Sequence, residues 1–314
     1  MTGFRSGTVA LVGRPNAGKS TLMNRYLGEK LAIVSDKPQT TRHRLVGIRT
    51  SARGQMVFYD TPGVHKPLHQ LNRRMVRYAV DALNDADVVC LLADATQKFA
   101  GGDAHMLALL EHTNVRRFVA LNKVDIVSKP KLLPLIERYA GSDLFDEIVP
   151  ISALDGGGCD TLLDFLFEAL PEGEPLYDPE LFTLHSEKFL AAELIREKVL
   201  HETRDELPYT TAVVIEMWEE DERKNLTKIH ASLLVEKSGQ KAILIGRQGA
   251  TIKKLGTAAR HDLEALLGRR VYLDLNVRCE PRWRESNRLL SDLDRGLFPD
   301  LLPGSYGAKS SMRS

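Results

Sequence analysis

The sequence predicts an α/β P-loop domain with a mixed, mostly parallel sheet, followed by a small α+β domain. Three observations carry that expectation. Strand-length apolar runs alternate with amphipathic segments over residues 1 to about 170, as in a parallel sheet covered on both faces. A glycine-rich loop, Gly13 to Ser20, follows the first of those runs. After Leu170-Pro171-Glu172-Gly173-Glu174-Pro175 the periodicity changes, and two prolines with a glycine suit an inter-domain turn. At 314 residues, and with roughly 150 residues per domain, two cores are expected.

In chain order, Val9–Val12 reads as the first buried strand, and Met56–Tyr59, Val88–Ala93, Phe118–Leu121 and Ile148–Ile151 follow. Between them Leu68–Leu83, Ala104–Glu111, Lys131–Tyr139 and Thr161–Leu170 repeat apolar residues at helical spacing. Beyond the turn, a helix over Ser186–Glu202 precedes strands at Thr210–Met217 and Lys228–Val235. Helical pieces around a glycine loop and a strand at Val271–Val277 complete the pattern. The expected boundaries are 1–172 for the first domain, 173–185 for a linker and 186–302 for the second, with a polar, basic tail at 303–314 expected to be disordered.

Hydrophobic residues make up 43% of the chain and charged ones 27%, which excludes a collagenous or wholly disordered protein. No apolar run has signal-peptide or membrane-spanning length, so a cytoplasmic protein is expected. Cys90, Cys159 and Cys279 are too far apart for a zinc site or disulfide frame. The net charge of +1 hides a segregation: residues 223–288 hold 15 Lys/Arg against 6 Asp/Glu. Starting at Glu216 instead adds five carboxylates, yet the basic stretch beyond them remains, so a polyanion partner is expected.

Gly13-Arg14-Pro15-Asn16-Ala17-Gly18-Lys19-Ser20 leaves a strand and enters a helix at Thr21. In that context the glycines let backbone N–H groups close on phosphates, Lys19 reaches the β- and γ-phosphates, and the Ser20 hydroxyl ligates Mg²⁺. Asn122-Lys123-Val124-Asp125 ends a strand, where ligands bind in such sheets. It matches the guanine-selecting element in which Asp accepts two N–H bonds from the base while Asn and Lys brace the loop. Ser152-Ala153-Leu154 resembles the loop whose backbone N–H meets the guanine oxygen, with Leu154 where Lys is usual. Asp60-Thr61-Pro62-Gly63 places a carboxylate to hold Mg²⁺ through water and a glycine N–H to sense the γ-phosphate. GTP/GDP binding and hydrolysis follow from these four elements, which occur along the chain in GTPase order: Gly13–Ser20, Asp60–Gly63, Asn122–Asp125, Ser152–Leu154.

The residue after Gly63 is Val64, which cannot orient water as a glutamine would, so slow intrinsic turnover is expected. Related GTPases use an Asn at the position of Asn16 to hold a potassium ion beside the phosphates, and potassium-stimulated hydrolysis is the expectation here. Lys19, Asn16, Thr41 and Gly63 are the candidate catalytic residues. A switch loop is expected at Lys37-Pro38-Gln39-Thr40-Thr41-Arg42-His43-Arg44. One of its threonines should complete the Mg²⁺ shell with Ser20 and Asp60. Thr41 is favoured over Thr40 because Thr41-Arg42 resembles the Thr-Arg of other assembly GTPases, and the choice stays open. His43 is expected at the surface rather than as a base.

In the second domain, Ile245-Gly246-Arg247-Gln248-Gly249-Ala250 lies between apolar helical segments, downstream of two strands. That is the GxxG loop of a type II KH fold, in which the backbone approaches a sugar-phosphate chain, Arg247, Lys253 and Lys254 supply charge, and a groove takes about four unstacked nucleotides. The lesser alternative is that Lys253, Lys254, Arg269 and Arg270 form only a solvated basic face. Trp283 either stacks on a base or anchors its helix on the core.

With GRPNxGKS, QTTRHR, DTPG and NKxD followed by one KH domain, the chain resembles the Era family of bacterial ribosome-assembly GTPases, within the TrmE-Era-EngA-like group. Glu187-Lys188, Ala192–Lys198 and Glu206–Tyr209 add to the resemblance, which covers residues 5 to about 298. It implies binding of 16S rRNA near its 3′ end, engagement of the maturing 30S subunit, and a monomer with peripheral association at the inner membrane. Ala17 stands where the family usually has Val. The competing readings are a constitutive RNA-binding module whose GTPase is structural, and a tRNA-modifying GTPase. No residues remain for the extra domain that the latter needs.

Overall fold

The computed structural model describes residues 3–63 and 69–294. Two compact units divide the chain: Met1–Thr183 with Leu200–Tyr209, and Leu184–Val199 with the chain from Thr210 onward.

The first unit runs β1 (Arg5–Gly13), α1 (Lys19–Leu27), β2 (Leu45–Ser51), β3 (Gly54–Asp60), α2 (Gln70–Asp85), β4 (Val88–Asp94), α3 (Gly101–Leu110), β5 (Arg116–Asn122), α4 (Lys129–Ala140), β6 (Glu147–Pro150) and α5 (Cys159–Ala169). Its sheet has the order β2-β3-β1-β4-β5-β6, parallel except that β2 is antiparallel to β3. β1, β3 and β4 are covered on both faces, which is why they read as unbroken apolar runs. β2 escaped the sequence reading because it is an edge strand whose apolar start gives way to Arg49-Thr50-Ser51. Parallel strands put their carboxyl ends on one edge, and there lie Gly13, Asp60, Asp94 and Asn122.

The segment expected to be a linker is instead laid along this sheet. Ser6 N donates to Pro171 O at 3.0 Å, Gly173 N to Phe4 O at 3.0 Å and Ile48 N to Phe182 O at 2.8 Å. Gln55 exchanges two 2.8 Å hydrogen bonds with the Tyr177 backbone. Edge N–H and C=O groups seek partners, and the extended, proline-containing chain supplies them.

The second unit takes most of α6 (Glu187–Glu202), whose last turn and the one-turn α7 (Leu207–Thr210) fall largely in the first unit, and continues with β7 (Ala212–Asp221) and β8 (Leu226–Val235). α8 (Ser238–Ile245), α9 (Ala250–Leu267), β9 (Arg270–Cys279) and α10 (Asn287–Asp294) follow. β8 is central, antiparallel to β7 and parallel to β9. Ile229, Ala231 and Leu233 of the sheet are buried, as are Leu244, Leu255, Ala259 and Leu263 of α8 and α9. Trp283 is fully buried, its indole N–H donating to Thr210 O at 2.8 Å. A ring so enclosed anchors the fold and does not stack on a base.

Candidate functional site

The loops at the carboxyl edge of the six-stranded sheet surround a cleft of about 490 Å³, a volume suited to a nucleotide. Pro15, Asn16, Gly18, Lys19, Ser20, Thr21, Thr41, Gly63, Asn122, Lys123, Asp125, Ala153 and Leu154 line it. Gly13, Ala17, Asp60, Thr61, Pro62 and Ser152 are buried, and Arg14 lines a neighbouring cavity. Lys19 Nζ donates to Arg14 O at 3.0 Å and to Gly13 O at 3.3 Å. Burial pushes its pKa down to about 8, against the opposing pull of Asp60. An ammonium so desolvated gains from an anionic ligand.

Beside it three oxygen-bearing groups converge. Ser20 Oγ lies 2.6 Å from Asp60 Oδ2 and 3.0 Å from Thr41 Oγ1, and Thr41 Oγ1 lies 3.2 Å from Asp60 Oδ2. Asp60 is fully buried and its Oδ1 has no hydrogen-bond partner. Burial raises its pKa, with Lys19, Ser20 and Thr41 opposing. Hard oxygen donors with one orphaned carboxylate oxygen fit Mg²⁺. Thr40 Oγ1 instead donates to Lys37 O at 2.6 Å, so Thr41 is the threonine brought to this cluster. Thr61 Oγ1 donates to Leu11 O at 2.8 Å. A Cβ on Gly63 would sit 2.5 Å from Pro15 N, so only glycine lets this loop approach the P-loop. Asn16, at φ 62, donates its amide to Asp36 O in the loop that carries Thr41. His43, expected at the surface, is only 8% exposed, its ring 6.0 Å from that of Tyr78. Val64 and the 303–314 tail lie outside the described residues.

At the base end, Asn122 Nδ2 donates to Ala17 O at 2.7 Å and its Oδ1 accepts from Ala153 N at 2.8 Å, joining P-loop to Ser152–Leu154. Ile126 and Leu154, 70% and 77% exposed, offer apolar surface at the cleft. Sequence reasoning missed three supporting residues. Arg25 donates to Ala153 O at 2.8 Å and to Leu154 O. Arg14 reaches Asp103 at 3.1 Å, where the carboxylate also accepts Ala100 N at the start of α3. Asp94 pairs with Lys123 at 2.6 Å. None of these side-chain tethers leaves a local signal, because the partners are 29 to 129 positions apart.

In the second unit the loop between α8 and α9 holds Gly246 at φ 74, and a Cβ there would meet Thr251 Oγ1 at 2.2 Å. Arg247, Gln248, Lys253 and Lys254 are exposed, with Ile243 open to solvent on α8. Backbone N–H groups at the start of the 18-residue α9 add positive potential. Arg269, by contrast, is committed to Glu187 at 2.6 Å and Glu220 at 3.1 Å, so it belongs to an ion-pair network rather than to a basic surface.

Comparison with known proteins gives two family matches: residues 8–123 fit the model described as 50S ribosome-binding GTPase, and residues 206–284 fit the KH domain. GTPase Era of Syntrophus aciditrophicus (strain SB) is 45% identical over 92% of this chain and 94% of its own length. GTPase Era of Leuconostoc citreum (strain KM20) is 46% identical over 92% and 96%. Among solved structures, an Aquifex aeolicus Era variant bound to GDP and AlF4⁻ superposes with a TM-score of 0.90 at 37% identity, over 94% of this chain and all of that one. The same values hold for Era in complex with MgGDPNP and nucleotides 1506–1542 of 16S ribosomal RNA.

Proposed function

Because the chain belongs to the Era GTPases, the family of the relatives that match it over 92% of its length, we propose that it binds 16S rRNA near its 3′ end under nucleotide control and assists maturation of the 30S subunit. It is a GTPase with a C-terminal KH domain. The exposed loop Gly246–Gly249 at the head of α9 carries the RNA reading, with a relative solved in complex with that rRNA segment as its support. On this reading Arg247, Gln248, Lys253 and Lys254 meet the sugar-phosphate chain. RNA affinity of the purified protein for a 3′-terminal 16S fragment tests it. The protein loaded with a non-hydrolysable GTP analogue should bind RNA about tenfold more tightly than the GDP-loaded protein, a usual size of coupling; equal affinities would sink nucleotide control. In-cell crosslinks mapping away from the 16S 3′ end would sink the RNA assignment.

Within the cleft, Lys19 and the P-loop N–H groups take the β- and γ-phosphates, Gly63 N–H the γ-phosphate, Asp125 the guanine edge and a backbone N–H of the Ser152–Leu154 loop its oxygen. Ser20, Thr41 and Asp60 would hold Mg²⁺, and the ion would supply neutralising charge for the phosphates. Asn16 would help hold K⁺, and the ion would supply the charge stabilisation that an arginine finger gives elsewhere. Turnover in KCl should then exceed that in NaCl at equal ionic strength by about tenfold or more, and equal rates would remove the ion from the mechanism. The family reading extends to a monomer in peripheral contact with the inner membrane. Among the described residues no helix is long and apolar enough to cross one.

A further inference from the structure

Lys123 forms part of two walls. It lines the 490 Å³ nucleotide cleft and also a separate cavity of about 320 Å³ on the other side of the Pro15-Asn16 stretch, and Asp94 lines only the second. Its backbone is left-handed at φ 69, a conformation that a residue with a side chain adopts only where its surroundings over-determine it. Two of those constraints are backbone hydrogen bonds, Ala95 N to Asn122 O at 2.9 Å and Val124 N to Ile151 O at 3.2 Å. The third is Asp94. It stands opposite Asn122 in the β4–β5 register, one residue from Lys123, and its Oδ2 accepts from Lys123 Nζ at 2.6 Å.

The carboxylate is itself oriented. Asp94 Oδ1 accepts from Thr96 N at 2.9 Å and from Thr96 Oγ1 at 2.6 Å, which leaves Oδ2 directed at the lysine. Partial burial disfavours its charge, but the bonds from Lys123 and Thr96 outweigh that and keep it ionised. We propose that Asp94 is a positioning residue: it tethers the Lys123 ammonium from the side away from the nucleotide, so that the lysine stem stays as a wall of the guanine cleft and sets guanine-nucleotide affinity. The proposal rests on the assignment of Asn122–Asp125 to the base.

A double-mutant cycle on the full-length protein tests it, with fluorescent GDP and a fluorescent non-hydrolysable GTP analogue as probes. Asp94→Ala should weaken both by roughly tenfold, mainly through faster release, and raise KM with kcat within about twofold, since a wall contact is made equally before and during hydrolysis. In a Lys123→Ala background Asp94→Ala should add nothing. Asp94→Asn keeps an oxygen for Thr96 without the charge and serves where the alanine variant unfolds in a thermal melt. Its affinity should fall in the same direction, and only when Lys123 is present. Equal losses from the Asp94 substitutions with and without Lys123, or no loss while Lys123→Ala binds weakly, would overturn the tether. If Lys123→Ala itself binds normally, the base assignment fails first.

Discussion

A buried carboxylate is costly without a counter-charge, and Asp60 sits fully enclosed with one oxygen unpartnered. The cleft offsets part of that cost with Lys19, Ser20 and Thr41, and the proposed Mg²⁺ would supply the remainder. Asp125, proposed to read the base, would work differently, by donor–acceptor matching. Asp125→Asn puts an N–H where guanine also presents one, while a xanthine base would offer an oxygen there. The substitution should therefore weaken GDP about a hundredfold or more and recover affinity for XDP, measured by competition. Unchanged preference would move base recognition elsewhere. Lys19, Ser20, Asp60 and Asp125 were legible in the sequence because each acts within a short string at a strand end. Arg25, Asp94 and Asp103 were not, because a guanidinium or carboxylate that supports a remote loop leaves no periodicity.

At the scale of elements, apolar continuity found the buried strands and missed β2, whose edge position relaxes the need for it. Helix ends were off by up to three residues, since caps rather than periodicity set them. Trp283 shows the limit of reading an aromatic between two arginines as an RNA contact: only packing revealed it as core. The loop between α8 and α9 is the clearest element-level test, because its tip is exposed and its glycines are conformationally required. Changing Arg247 and Gln248 together to Asp should lower affinity for the 16S fragment by at least about tenfold and flatten its salt dependence, with an unchanged melting temperature. A matching loss of stability would recast the loop as structural.

For the molecule as a whole, acidic and basic character are distributed unequally along the chain, with 15 Lys/Arg against 6 Asp/Glu over 223–288. Such a field favours a polyanion and makes binding salt-dependent, without selecting which one. The nucleotide dependence of RNA binding is likewise a property of the whole chain, and Lys19→Ala is its control: RNA affinity in that variant should no longer differ between GTP analogue and GDP. By itself the sequence determined that phosphate, metal and base elements occur in GTPase order ahead of a KH loop. Those elements act through adjacent residues and backbone N–H groups, so their chemistry is written locally. Tertiary structure alone decided that Thr41 and not Thr40 joins Ser20 and Asp60, that the 173–183 segment pairs with the sheet, that Arg269 is committed to ion pairs, and that Asp94 holds Lys123. Each is a distance between side chains or backbone groups far apart in the chain, and such distances exist only once the sheet has aligned its strand ends.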